Sequence, residues 1–139
     1  MGQQQLLLLV LSTVIVGLAT VAGIQAFSEN QAQATQDALT QKGVTMASDI
    51  QGLLAKPSQL GGISDSSASA SSVATKLGYD GTAVSVDGAS GSNPTCTIQS
   101  SDVSKIVCSS DQAPQEVTVD LNTATGEINT TYGSGSSSS

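Results

Sequence analysis

The chain has 139 residues, with eleven acidic side chains against four basic ones, a formal charge of -7, no histidine, two cysteines and few aromatic rings. The basic groups are Lys42, Lys56, Lys76 and Lys105, too few and too scattered to track a phosphate backbone, so no nucleic acid is expected as a partner. Without histidine the usual zinc sets, thiol–imidazole pairs and serine triads lack their parts, so no metal, no cofactor and no enzymatic activity are expected from a length that allows one modest domain.

The first predicted element is a helix. From Leu6 to Phe27 the chain reads LLLLVLSTVIVGLATVAGIQAF, without a charge and with only Ser12, Thr13, Thr20 and Gln25 as polar interruptions. Its large apolar residues are Leu6, Leu7, Leu8, Leu9, Val10, Leu11, Val14, Ile15, Val16, Leu18, Val21, Ile24 and Phe27. At about 1.5 Å per residue such a helix is roughly 33 Å long, enough to cross the hydrocarbon layer of a bilayer. About a dozen large side chains leaving water supply on the order of 20–30 kcal/mol toward burial. A cleaved secretory signal fits poorly, because MGQQQ carries no basic side chain and the apolar run is long for such a peptide. Acidic residues from Glu29 onward favour a short N-terminal stub inside the cell and a large C-terminal part outside. Ala19 and Gly23, and again Ala22 and Ala26, stand four residues apart, and with Gly17 they are candidates for close helix packing; lipid-facing filler is the other reading of such small residues.

Nothing in residues 28–55 stops this helix before Lys56-Pro57. Thr35, Leu39, Gly43, Met46, Ile50 and Leu53 recur at spacings of four and three, one stripe that needs a partner surface, while Glu29, Gln33, Asp37 and Gln51 fall largely off it. Leu39, Met46, Ile50 and Leu53 are therefore expected to bind the helix to its own head. Gly43 and Gly52 each cost about 0.5–1 kcal/mol against alanine inside a helix, which marks them as bending points, places of close backbone approach, or tolerated surface positions.

After Pro57 the composition changes. Residues 57–72, PSQLGGISDSSASASS, read as a Ser/Gly-rich connector that cannot build a core. Short alternating runs then predict strands at 83–86, 95–98, 105–108, 116–121 and 127–132, and DLNTATGEI predicts a hairpin with Gly126 at positive φ. So small a sheet needs the helix across one face. The implied fold class is α+β: an assembly or transmembrane helix over 1–56, a linker loop over 57–72, a small antiparallel β head over 73–133 and a flexible Ser-rich tail over 134–139.

Cys96 and Cys108 end the TCTI and KIVC runs and are well placed to pair. The oxidising side of the membrane favours a disulfide over a free buried pair. Asp80-Gly81 and the stretch from Asp87 to Asn93 offer loop oxygens but match no calcium-loop spacing and read as solvated turns. Asn129-Thr130-Thr131 fits a glycosylation triplet, but a threonine pair of a strand is the simpler reading, and in a bacterium the triplet would mean little.

An extreme N-terminal apolar helix running on into an amphipathic half, then a loop, a small antiparallel sheet and two well-placed cysteines, resembles the type IV pilins and pseudopilins. In that family the precursor is cut beside a glycine just before the apolar segment, and Gly2-Gln3 looks like such a processing site. The chain departs from the pattern in having no basic residue before Gly2 and no glutamate at the mature fifth position, which would be Leu7 after cutting or Gln5 without it. Lys56-Pro57-Ser58-Gln59-Leu60-Gly61-Gly62 also looks like the helix exit of pilin-like proteins that begin with a similar GQQQLLL. The resemblance implies a structural subunit of an extracellular filament, stored in the inner membrane before assembly, with identical subunits and the pilus assembly machinery as partners and the cell surface as its place. Two alternatives use the same composition: a single-pass membrane-anchored surface protein with a small acidic binding domain, and a minor pseudopilin of a secretion system.

Overall fold

The computed structural model describes residues 2–133. The expected tail over 134–139 lies outside the described residues. Helix α1 runs Gly2–Ala55 and ends where Lys56-Pro57 removes the next amide donor. It is followed by a 3-10 turn Ser58–Leu60, helix α2 Ala70–Leu77, and strands β1 Ala83–Ser85, β2 Thr95–Ile98, β3 Lys105–Ser109, β4 Glu116–Leu121 and β5 Ile128–Gly133. The chain forms two compact units, residues 1–31 and 32–139. The second half of α1 thus belongs with the head.

Within residues 32–139 the five strands form one antiparallel sheet in the order β1-β2-β3-β4-β5. Alternation sets its faces. Cys96 and Ile98, Ile106 and Cys108, and Val117, Val119 and Leu121 are buried, while Thr95, Thr97, Val107 and Thr118 between them are half exposed. The buried row joins one hydrophobic core with Leu39, Met46, Ala47, Ile50 and Leu53 of α1, so the predicted stripe is the face that covers the sheet. The β4–β5 hairpin closes as its residues dictate. Gly126 takes φ 75°, its amide donates to the Asn122 carbonyl at 2.7 Å, and the Asn122 side chain accepts from the Ala124 amide at 3.0 Å.

Residues 57–72 depart from the core-free connector that their composition predicts. The amide of Ile63 donates to the Leu53 carbonyl and folds the chain back, so Ile63 enters the core, and Ala70 does the same from the start of α2. Helix α2 is itself absent from the sequence reading, which places the head from residue 73. Its core face is only Ala70, Val73 and Ala74, too little apolar surface to stand out in a serine-rich stretch. Its boundaries are nonetheless well made: the Ser69 hydroxyl accepts from the Ser72 amide, and Gly78 in the left-handed region ends the last turn.

Candidate functional site: an uncovered apolar helix and the head that carries most of the chain's charge

Leu6, Leu7, Leu8, Leu9, Val10, Leu11, Val14, Ile15, Val16, Leu18, Val21, Ile24 and Phe27 each expose between 53% and 70% of their surface. A single copy of the chain gives them no cover. The three hydroxyl-bearing interruptions do not spoil this apolar surface, because they are satisfied locally. The Ser12 hydroxyl donates to the Leu8 carbonyl, Thr13 to Val10 and Thr20 to Gly17, each at 2.8 Å. Serine and threonine in a helix can satisfy themselves in this way without a partner molecule. The helix is long and apolar enough to cross a membrane.

The small residues divide between faces. Ala19, Ala22, Gly23 and Ala26 follow at spacings of three and four and share one side of the helix, whereas Gly17 stands off that side. A Cβ added at Gly17 or Gly23 would meet nothing within 4 Å. Both glycines leave a flat place on the helix that one copy does not use. Gly2 is helical and exposed, and Gln3 beside it is exposed too.

In the head, Leu39, Met46 and Ile50 are fully buried and Leu53 nearly so, which places all four against the sheet. At Gly43 the helix lies close against the sheet. A Cβ there would sit 2.7 Å from Val119 Cγ2 and 3.1 Å from Cys108 Sγ. Cys96 and Cys108 occupy paired positions on β2 and β3 and form a disulfide, both fully buried; the Cys96 sulfur also lies 3.8 Å from the Leu39 carbonyl. Gly52, by contrast, faces open space. Gly43→Ala should therefore destabilise the head by about 1–2 kcal/mol, overpacking outweighing the gain in helix propensity, while Gly52→Ala should stabilise it by about 0.5–1 kcal/mol. Chemical unfolding of the two variants in the same detergent checks the opposite signs.

Polar contacts tie four of the loops to α1. The buried Thr35 hydroxyl accepts from the Ser90 amide at 3.0 Å, and Gln36 Oε1 accepts from the Gln115 amide at 3.2 Å. Gln51 Nε2 donates to the Gly126 carbonyl at 3.2 Å. The Tyr79 hydroxyl donates to Asp49 at 3.1 Å, with the Lys42 ammonium 5.7 Å from the centre of its ring. Sequence reasoning missed Gln36, Asp49 and Tyr79 and left Gln51 off the stripe, since partners 30 to 79 residues away leave no trace in local spacing.

Burial, with the Asp49 hydrogen bond and charge behind it, pushes the Tyr79 phenol up to about 12. A phenol whose folded value lies above its unfolded value of 10.0 contributes stability that is fully present below about pH 10 and lost as the pH rises through about 12. Tyr79→Phe should flatten the fall in stability across that window, read by unfolding at a series of alkaline pH values. Asp65 and Asp111 shift the other way. Hydrogen bonds from Ser67 and Ser92 respectively hold their carboxyls below the ordinary carboxylate range.

Among the described residues no group of three or more acidic, histidine or cysteine side chains is placed to hold a metal ion. The hollow beside the end of α1, about 200 Å³, is lined by Gln51, Leu54, Ala55, Leu121, Asn122, Thr123 and Gly126, none of which can act as an acid or base near neutral pH. Comparison with protein-family models, with curated proteins and with solved structures finds no match to this chain.

Proposed function

We propose that this chain is the structural subunit of a type IV pilus-like filament, held in the inner membrane through residues 6–27 before assembly and polymerising at the cell surface through the same segment. One observation carries the reading: the most apolar surface of the chain is left bare, while the head has a closed core of its own. Lipid can shelter such a helix in storage. Once the subunit leaves the bilayer, only the equivalent helices of other copies can, and contacts between different surfaces of identical subunits build a filament when the rotation between them does not close. The head, with every acidic group of the chain except Glu29, coats the outside and keeps the polymer soluble. Its role is mechanical, with identical subunits and an assembly machinery as partners and with no cofactor.

The test is electron microscopy of material sheared from cells, with mass measurement of the N-terminus. Long thin fibres made of this chain are the expected result. Recovery only as scattered monomers that need detergent for extraction would replace the filament with a membrane anchor bearing a surface domain.

A further inference from the structure

We propose that Asn129 is a site of N-linked glycosylation, its side-chain amide accepting an oligosaccharide from a polyisoprenyl-diphosphate donor. Strand β5 lies at one edge of the sheet and β1 at the other. A bare edge is a template for pairing with another chain, and proteins guard edges with short strands, charges, prolines or bulky cover. The β1 edge is guarded by its length of three residues. Strand β5 has six residues, INTTYG, without a charge or a proline, so none of these sequence guards is present.

The same strand carries the triplet Asn129-Thr130-Thr131, and its pleat presents that triplet in a usable way. Thr130 pairs with the buried Val119 and is half buried on the α1 side. Asn129, opposite Asp120, and Thr131, opposite Thr118, are exposed on the other face. The acceptor amide and the hydroxyl that the transfer requires two residues later thus share the exposed face of the last strand, the hydroxyl donating to the Thr118 carbonyl at 3.4 Å. In the transfer, Asn129 Nδ2 forms a bond to the anomeric carbon of the sugar. The anomeric carbon–oxygen bond to the diphosphate breaks, the lipid diphosphate leaves with the electron pair, and the amide proton passes to a base of the transferase. A bulky, solubilising glycan at this position covers the edge that the strand's own side chains leave open. The proposal needs the head to reach the outer side of the membrane but does not need a filament.

Mass spectrometry of the chain purified from its own cells tests it, after reduction and tryptic cleavage. Lys105 is the last lysine, so one peptide, residues 106–139, reports the modification. The expected result is a peptide heavier than its sequence by an oligosaccharide, with complete loss of that increment in Asn129→Gln and in Thr131→Ala. The increment should persist in Thr131→Ser, which keeps the hydroxyl, and in Thr130→Ala. A wild-type peptide at its bare mass, or an increment that survives Asn129→Gln, overturns the proposal.

Discussion

Val14→Asp and Leu18→Lys should each abolish surface fibres while the head remains folded. Both positions lie near the middle of the charge-free segment, and both side chains expose more than half of their surface in a single copy. A charge at the centre of a membrane helix costs about 2.5–3.5 kcal/mol for insertion. In a packed fibre the same charge would be buried without a partner in every subunit, so the cost recurs at each step of growth. The head has no reason to respond, because its packing draws on Thr35 and residues beyond it. Micrographs of sheared surface material and the thermal unfolding of detergent-solubilised chain give the two readouts. Fibres at normal yield from either variant would remove the apolar helix from the centre of the assembly.

Replacing Cys96 and Cys108 together by alanine should lower the stability of the head by about 3 kcal/mol, the loop-closure contribution expected for a bridge spanning about a dozen residues. For a unit of this size that corresponds to a fall of roughly 12–24 °C in melting temperature. The loss is large against the 5–15 kcal/mol or so that holds a small domain together. Thermal unfolding of wild type and variant in one detergent measures it, and a shift of only a degree or two would mean that the packing of α1 holds the sheet without the bridge. The two substitutions act on different units. The first set should leave the melting temperature in place, and the second should leave membrane insertion unchanged.

Patterns with a short period were the legible part of the fold. TCTI and EVTVDL alternate cleanly, and β2 and β4 occupy those residues. The stripe from Thr35 to Leu53 was equally plain, because a helix lying on a sheet needs apolar or small residues at every third or fourth position. Gly126 could be placed because a hairpin turn leaves glycine few rivals at positive φ. Helix α2 and Ile63 were hidden for the opposite reason. The segment that leads from α1 into α2 is held by backbone bonds from Ile63 to Leu53 and from Val103 to Ser66, which a linear reading cannot anticipate. For the candidate site, the apolar residues from Leu6 to Phe27 were obvious by composition. The local bonds of Ser12, Thr13 and Thr20, which make that surface more apolar than its residue list suggests, needed coordinates.

The place of the two sulfurs has a consequence for their own redox chemistry. Cys96 and Cys108 have no solvent exposure, and Gly43 lets the backbone of α1 settle directly over them. A soluble thiol or phosphine meets them only when that lid of helix lifts away, so the speed of their reduction reports the opening of the head: its equilibrium where reclosing outpaces the reductant, its rate where the reductant is faster.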